Sequence, residues 1–460
     1  MRRYLPQITL LISLCLCASC RPGVSNGGPT TAKGESGRHG LSAAPLSLPE
    51  EIKLLRRAGL PTSPEELQPA LPPPDKNAAP LYRQLAALVK TKPVSEADKI
   101  AVEGHGDGVL KPEAARRLTE ALQHRADIGE LVHKAALRPK CVFDRDWSVG
   151  PAAPFPEADA VRLAARWLSA ESALQLYRGE TLSAVKTAAL GFRLGAHMAQ
   201  STDLVPYLVA NATDATTLGA MKRILYAAGD RPGVAAAVQH AVETEWRPHS
   251  LARALQGEVI LPLVELEKDR KAGPAAYEKA LAADRRQGVP ETARLTEDDR
   301  SHWDRFVDRR KAAALRIVRE TAAVADRPYS EASLALASVS SELDTHRQDP
   351  AFLSAAEVFP VYEQAVKKHA QLQARVATVE AAAAALNWKA GHGSLPPSLA
   401  SAMPRPPADP FDGRPLRYKR EGNGFLVYSV GPTGKFDGGT AAVKSDALET
   451  VFRYLQAGGR

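Results

Sequence analysis

The residue types that most often bind metals are concentrated in one short stretch of this sequence. His240, Glu243, Glu245 and His249 lie within ten residues, and imidazole and carboxylate groups are common metal ligands. On a single helix His240 and Glu243 share one face, but Glu245 does not, and Pro248 interrupts the helix before His249. The His-Glu-x-x-His pattern of zinc proteases is absent. The stretch therefore predicts polar residues on a helix surface rather than a metal centre.

Two further patterns contain the residue types of a nucleophile. Ser25 stands in Gly-Val-Ser-Asn-Gly, but neither the strand nor the helix that exposes such a serine flanks it. Cys141 needs a nearby base to form a thiolate, and a distant histidine such as His133 could supply one only through the fold. We favour the interpretation that Cys141 is a small, buried, apolar residue. The sequence thus predicts no catalytic residue and no enzyme.

The chain begins with the features of an export signal. Arg2 and Arg3 precede an apolar run at 8–18, whose eleven residues are too few for a bilayer core. A membrane-spanning helix needs about 20 apolar residues, whereas the apolar region of a signal peptide is shorter. The run therefore predicts a cleaved signal peptide.

The apolar run ends in Leu16-Cys17-Ala18-Ser19-Cys20, which resembles the lipobox of bacterial lipoproteins. Ala18, Ser19 and Cys20 match that pattern, whereas Cys17 stands where a branched apolar residue is usual. The resemblance implies cleavage before Cys20 and a stable diacyl anchor on its thiol. Ordinary signal cleavage near Ala18 is the alternative. The resulting prediction is a lipoprotein of the cell envelope, lipid-anchored to a membrane and facing the periplasm or the exterior.

Composition divides the chain into five predicted segments. Residues 1–19 are the signal peptide, and residues 20–45 are the lipidated cysteine and a flexible tether rich in Gly, Ser, Pro and Thr. Residues 46–150 are predicted to form an N-terminal helical region with proline breaks. Residues 151–370 are predicted to form a helical body, and residues 371–460 a C-terminal α+β domain.

Apolar periodicity predicts that the middle of the chain is helical. Leu163, Trp167, Ala170, Leu174 and Tyr177 recur every three or four residues, which places them on one helix face. Alanine runs are frequent, and aromatic residues are only 6%, which also favours helix. The predicted fold class is mainly α: an irregular helical bundle or array, followed by the small α+β domain.

The charge balance of the chain is mildly basic. It has 60 Lys and Arg residues against 52 Asp and Glu residues, a formal net charge of +8 over 460 residues. This diffuse charge favours anionic surfaces such as lipid headgroups, and together with export it argues against a nucleic-acid partner. The densest basic cluster has helical spacing and predicts a solvated helix face. It consists of Arg305, Arg309, Arg310, Lys311, Arg316 and Arg319.

A different pattern begins after the last apolar helix stripe. Residues 416–420 and 425–430 are rich in aromatic and branched side chains, and they predict two short strands. The Glu-Gly-Asn-Gly sequence at 421–424 supplies the glycines of a hairpin turn between them. Residues 451–455 are predicted to add a third strand.

This C-terminal region resembles the globular part of the major pseudopilins of type II secretion. The shared features follow a long helix in the order His392-Gly393, Leu395-Pro396, Asp409-Pro410-Phe411, Gly413, Pro415-Leu416, Tyr418 and Tyr428-Ser429-Val430-Gly431. The resemblance implies one long helix packed against a short antiparallel sheet. Pseudopilins carry an apolar assembly segment at the start of that helix, whereas about 350 residues stand in front of it here. We therefore do not infer a secretion function for this chain from the resemblance.

The resemblance also raises a weak calcium hypothesis. Pseudopilins of this kind often bind calcium in the loop after their Tyr-Ser-Leu-Gly equivalent, and calcium prefers oxygen ligands. This chain keeps Asp437 in that loop, with Asp446 near in sequence. Thr433 stands where the family usually has an acidic residue, and Lys435 adds a positive charge. We favour a structural glycine loop and predict no cofactor.

These observations predict a membrane-anchored envelope lipoprotein that acts as a non-enzymatic binding or scaffold module. Its expected partners are the membrane, through the N-terminal lipid, and another envelope protein. Two alternatives stay open at this point. One is an accessory component of a secretion or pilus-like apparatus, and the other is an envelope hydrolase whose site assembles from residues distant in sequence.

Overall fold

The computed structural model describes residues 47–67, 69–104, 108–148, 155–284, 293–434 and 450–455. These residues are mainly helical, with a small three-stranded antiparallel sheet near the C terminus, which confirms the predicted fold class. Among them, no helix combines the length and the apolar character needed to cross a membrane.

The N-terminal region consists of one separate helix followed by a group of four. Helix α1 (Leu48–Arg57) begins after Ser47, whose backbone N–H and hydroxyl both donate to the Glu50 carboxylate, at 3.0 and 2.8 Å. A 3₁₀ turn follows at Pro64–Leu67. The group of four comprises α2 (Ala79–Thr91), α3 (Glu96–Glu103), α4 (Pro112–His124) and α5 (Ala126–Ala136). Their apolar faces share one buried core with the first helices of the body.

The body continues as a series of helices joined by short connections. They are α6 (Glu157–Tyr177), α7 (Thr181–Met198), α8 (Leu204–Ala228), α9 (Val234–Glu245), α10 (Leu251–Ala254), α11 (Gln256–Ala272), α12 (Pro274–Asp284), α13 (Glu297–Ser301), α14 (Trp303–Val324) and α15 (Tyr329–Thr345). The predicted apolar stripe lies on α6, where Trp167, Ala170 and Leu174 are buried. Tyr177, at the end of that stripe, is 40% exposed because the helix ends there.

Helices α7 and α8 pack unusually close to each other. A Cβ atom on Gly191 would lie 2.0 Å from the Thr217 hydroxyl oxygen, and one on Gly195 would lie 2.0 Å from an Asp214 carboxylate oxygen. The two glycines are four residues apart on α7, so they form one groove that receives polar side chains of α8. Only glycine fits at these two positions of close approach.

The C-terminal part combines a long helix with the sheet. Its elements are α16 (Leu353–His392), α17 (Leu399–Ala402), β1 (Arg417–Glu421), β2 (Gly424–Tyr428) and β3 (Val451–Tyr454), in the sheet order β1-β2-β3. The predicted hairpin is present: Glu421 pairs with Gly424, and Gly422 between them has a φ of 56°. The sheet packs against α8, α9 and α16, so these elements share one core.

Residue 371 lies inside α16, which begins at Leu353. The predicted C-terminal domain begins at this residue, but the helix extends about five turns further towards the N terminus, through Pro360. The predicted boundary between 151–370 and 371–460 stays a prediction.

The basic cluster on α14 does not form the solvated face that its spacing predicted. Arg310, Lys311 and Arg316 are 2%, 6% and 6% exposed, so the prediction was wrong for the centre of the cluster. Each of the six residues contacts a carboxylate, mostly from another helix. The pairs are Arg305–Asp298, Arg309–Asp299, Arg309–Asp349, Arg310–Asp269, Lys311–Glu267, Arg316–Glu320, Arg316–Glu342 and Arg319–Glu51.

Candidate functional site

Four of the candidate site residues from the sequence lie outside the described part of the chain. They are Cys20, the predicted lipidation site, Ser25 of the Gly-Val-Ser-Asn-Gly pattern, and Asp437 and Asp446, the weak calcium pair. The statements about all four therefore remain predictions.

The residues of the histidine and glutamate stretch at the end of α9 contact different partners. Glu245 pairs with Arg193 at 2.9 Å, and His249 turns inward to Asp214, also at 2.9 Å. Glu243 accepts a hydrogen bond from Gln239 on its own helix at 2.9 Å. In the described residues no group of three or more His, Cys, Asp or Glu side chains is arranged to hold a metal ion. The prediction of surface polar residues agrees with the exposure of His240 and Glu243, but it was wrong for His249, which is 6% exposed because it packs against Asp214.

Cys141 is a buried residue, as the sequence analysis favoured. It is 2% exposed, and burial raises the pKa of its thiol far above the usual value. Its backbone N–H donates to the Gln200 side-chain carbonyl at 3.1 Å. His133, the histidine considered as its base, instead contacts Glu171 at 2.8 Å. Burial therefore favours the protonated thiol of Cys141 over the thiolate.

A small cleft of about 230 Å³ lies where four separate segments meet. The 3₁₀ turn, the loop at 141–147, the connection at 200–202 between α7 and α8, and helix α10 all contribute to it. We refer to it as the Trp147 cleft. The lining residues are Glu66, Leu67, Pro69, Cys141, Val142, Phe143, Arg145, Trp147, Gln200, Ser201, Thr202 and Arg253.

Close packing fixes the position of the Trp147 ring. A Cβ atom on Gly257 would lie 3.1 Å from that ring and 2.7 Å from the Thr202 carbonyl oxygen. The Gly257 N–H donates to this same carbonyl at 2.7 Å. On the other side, the Arg145 guanidinium lies 5.3 Å from the Trp147 ring centre. The indole is therefore held in place by backbone contact and a cation–π contact, and the apolar wall of the cleft is preformed.

The charged residues of the Trp147 cleft differ in how far they are already paired. Arg145 forms an ion pair with Asp203, the residue that caps α8. Arg253 donates one Nη2 hydrogen to the Gln200 carbonyl oxygen at 3.0 Å and forms no ion pair among the described residues. Glu66 accepts hydrogen bonds from the backbone N–H and the hydroxyl of Thr62, at 3.1 and 3.2 Å. Arg253 and Glu66 thus present unpaired charges of opposite sign.

A second cavity, of about 330 Å³, adjoins the Trp147 cleft because Glu66 lines both. Its other lining residues are Arg56, Gly59, Leu60, Pro61 and Gln256. Helix α1 therefore contributes to the surface next to the cleft.

A carboxyl group with a shifted pKa lies at the start of α11, next in sequence to Gly257. Glu258 accepts a hydrogen bond from the Tyr362 hydroxyl at 3.2 Å. Burial, and secondarily the negative charge of Asp203, raise the pKa of Glu258 to about 8. At neutral pH this side chain is therefore mainly the neutral acid.

Comparison with protein-family models, with curated proteins and with solved structures found no match for this chain. The pseudopilin and lipobox resemblances therefore rest on residues of this chain alone.

Two histidines form polar contacts deep in the body. His249 contacts the Asp214 carboxylate at 2.9 Å, and the Trp246 indole N–H donates to the same oxygen at 2.9 Å. The side chains of His249 and Asp214 are 2% and 0% exposed. His369 contacts the Tyr207 hydroxyl at 2.6 Å, and both residues are buried. These contacts join α8 to α16 and to the chain after α9, and a substrate in solution does not reach them.

Sequence reasoning did not predict the Trp147 cleft. Its residues come from four distant segments, and each of them alone has an ordinary local pattern. The one available signal was the irregular, proline-flanked stretch around Cys141 and Trp147, which interrupts an otherwise helical sequence.

Proposed function

We propose that this chain is a membrane-anchored lipoprotein of the cell envelope that acts as a non-enzymatic binding module. The observation that carries the proposal is the Trp147 cleft, a concave site with a preformed apolar wall and two unpaired charges. Small-ligand sites usually combine such a wall with a few polar groups that fix the orientation of the ligand. Acyl chains on Cys20 would keep this site close to the membrane surface.

The environment of the reactive groups favours binding over hydrolysis. Cys141 lines the cleft, but its raised pKa keeps it a thiol. The buried Asp214–His249 pair has the residue types of a catalytic dyad, but in the described part of the chain no hydroxyl contacts His249. A base without a nucleophile, out of reach of solvent, does not support a hydrolase.

The anchor is tested with Cys20→Ala in the natural host. The wild-type protein is expected in the membrane fraction, with acyl chains on its N-terminal peptide in mass spectrometry. The variant is expected to leave the membrane fraction. An intact leader, or an unmodified start beyond Cys20, would contradict the lipoprotein proposal.

The binding role is tested by crosslinking in intact cells. A photoreactive residue at Ser201, in the cleft, is expected to capture a ligand or partner on illumination. The same residue at Glu331, an exposed position on α15, is the matched control and should capture none. Equal capture at both positions would show that the cleft is not the binding site.

A second candidate function is an accessory role in a secretion or pilus-like apparatus. The observation that favours it is the packing of α16 against a three-stranded antiparallel sheet, the arrangement that the pseudopilin resemblance implied. Co-purification of pseudopilins or a secretin with the detergent-solubilised protein would support this role. Their absence from the purified material would count against it.

A further inference from the structure

Three kinds of side chain line the Trp147 cleft: positively charged, negatively charged and apolar. Arg253 supplies a positive charge, Glu66 a negative charge, and Phe143 and Trp147 belong to the apolar wall. We propose that the cleft binds a free α-amino acid with an apolar side chain, an inference that rests on the proposed binding function. Such a ligand has one carboxylate, one ammonium group and one apolar side chain, so it complements all three kinds of side chain.

Arg253 is the group that receives the ligand carboxylate. Its hydrogen bond to the Gln200 carbonyl holds the side chain beside the cleft and occupies one of its five N–H donors. No other acceptor contacts its guanidinium in the described part of the chain. Two parallel N–H groups are therefore available for a carboxylate, the geometry in which arginine binds carboxylates most tightly. Arg145 does not compete for this role, because Asp203 already balances its charge.

Glu66 is the group that receives the ligand ammonium. Both of its oxygens accept hydrogen bonds from Thr62, which orients the carboxylate at the rim. An ionised carboxylate has about four acceptor positions, so two remain for an ammonium group. Arg56 lines the adjoining cavity, but it donates to the Thr62 hydroxyl at 3.4 Å, and no ion pair with Glu66 is present among the described residues.

The volume of the cleft favours a small ligand. It is about 230 Å³, below the roughly 300–1,000 Å³ of pockets for drug-sized molecules. Phe143 is only partly buried, so it offers apolar surface to a ligand side chain beside Leu67 and Trp147.

The inference is tested by calorimetric titration of the full-length chain in detergent with three probes. L-Leucine has both charges, L-leucinamide lacks the carboxylate, and 4-methylpentanoate lacks the ammonium group. L-Leucine is expected to bind at least about tenfold more tightly than either analogue, because each analogue loses a charged hydrogen-bonded contact.

Substitutions of Arg253 and Glu66 test which residue contacts each charged group of the ligand. Arg253→Gln should weaken the binding of L-leucine about tenfold and leave the binding of L-leucinamide unchanged, because the amide has no carboxylate to contact the guanidinium. Glu66→Gln should weaken the binding of L-leucine about tenfold and leave the binding of 4-methylpentanoate unchanged, because that probe has no ammonium group. Both side chains are exposed, so the fold tolerates these changes. Arg247→Gln is the matched control, since Arg247 is also exposed and donates to the Trp246 carbonyl at 2.8 Å, away from the cleft.

The outcomes separate this inference from the proposed function. Equal binding of the three probes, or no heat with L-leucine, overturns the amino-acid inference. The proposed binding role fails separately, if crosslinking at Ser201 captures nothing beyond the Glu331 control. Loss of L-leucine binding in Arg247→Gln would also overturn the assignment of the site.

Discussion

The histidine at position 197 shows how burial decides the chemistry of a single residue. Its Nε2 lies 2.7 Å from the Arg138 carbonyl oxygen, which can only accept, so Nε2 carries the proton. The Nδ1 atom, 2.9 Å from the Tyr82 hydroxyl, therefore accepts a hydrogen bond from it. Burial lowers the pKa of His197 to about 4, so the imidazole is neutral in the folded protein at neutral pH.

We expect acid to destabilise the protein through His197. The unfolded chain takes up this proton near pH 6.5 and the folded chain only near pH 4, so the stability present above pH 6.5 is lost as the pH falls towards 4. In urea unfolding between pH 7 and pH 4.5, wild type should lose more stability than His197→Gln, by about 2–3 kcal/mol. Parallel pH profiles for the two proteins would contradict this.

Glu258 has the opposite pH dependence. Its pKa is raised to about 8, so the folded state favours the neutral acid, and this stability is lost as the pH rises from about 4.5 through 8. Glu258→Gln keeps the side chain neutral. At pH 8.5 the variant should be more stable than wild type by about 2–4 kcal/mol, whereas at pH 4.5 the two should be nearly equal. Thermal melting at both pH values measures the difference, and an advantage at pH 4.5 alone would contradict the assignment.

At this scale the sequence predicted the burial of Cys141 but not the roles of His197 or Glu258. A cysteine without a nearby base is usually a buried apolar residue, so its type alone was informative. A histidine or a glutamate is usually solvated, and only the packing of other helices around His197 and Glu258 reverses that preference.

Among the elements, α14 departs most from what its sequence indicated. Its basic residues have helical spacing, but apolar residues such as Phe306, Leu315 and Val318 surround them and are buried. The carboxylates that pair with them come mostly from α1, α11, α13, α15 and the loop at Asp349, and one, Glu320, comes from α14 itself. A pattern within one helix does not reveal partners on others, so the solvated face was the wrong inference.

The pair between α1 and α14 is expected to be important for stability. Glu51 is 0% exposed and contacts Arg319 at 2.5 Å. Glu51→Ala leaves the partly buried Arg319 guanidinium with only its longer contact to Glu320, at 3.6 Å, and this loss should cost about 2–4 kcal/mol of unfolding free energy. Glu51→Gln, which keeps one acceptor, should cost less.

Chemical denaturation measures the unfolding free energy of both Glu51 variants. Glu331→Ala is the control, because Glu331 is exposed on α15, and its removal should change stability by less than about 0.5 kcal/mol. If Glu51→Ala had as small an effect as this control, α1 would not be held by the ion pair.

For most elements the sequence alone was sufficient to predict the secondary structure. The helices, the hairpin turn and the third strand follow from apolar periodicity and from glycines with positive φ, which are local properties. The first half of α16 was missed because Pro360 indicates a helix end, whereas here the helix continues through it.

In the whole molecule, the sheet and the helical body share one core. Phe425 and Phe452 of the sheet lie in the same buried cluster as Met221 of α8 and Val238 of α9. The Phe452 ring also stacks on Tyr226 of α8, with ring centres 4.5 Å apart. The sheet therefore stabilises the body as well as itself.

We expect Phe452→Ala to weaken α8 as well as the sheet. Phe452 is 0% exposed, and removing a buried phenylalanine ring costs about 3–5 kcal/mol. Hydrogen exchange followed by mass spectrometry should show faster exchange in α8 and α9 than in wild type. Leu455→Ala, at a residue that is 66% exposed, is the control and should leave exchange unchanged. Faster exchange confined to the sheet would contradict a shared core.

At the scale of the molecule, the sequence predicted a mainly helical chain followed by a small sheet, but not which segments pack together. The Trp147 cleft and the shared core both join parts of the chain that are far apart in sequence. Contacts of this kind depend on how helix faces match in three dimensions. Apolar periodicity shows which face of a helix is buried, but not which element packs against it.

The position of β3 has a consequence for biosynthesis. Met221 and Ile224 lie in the same core as Phe452, which follows them in sequence by more than 200 residues. During translation these apolar side chains are made long before their last neighbour, a delay on the order of tens of seconds at ordinary synthesis rates. A premature stop codon shortly before Phe452 would therefore leave the interior of α8 uncovered and prone to aggregate.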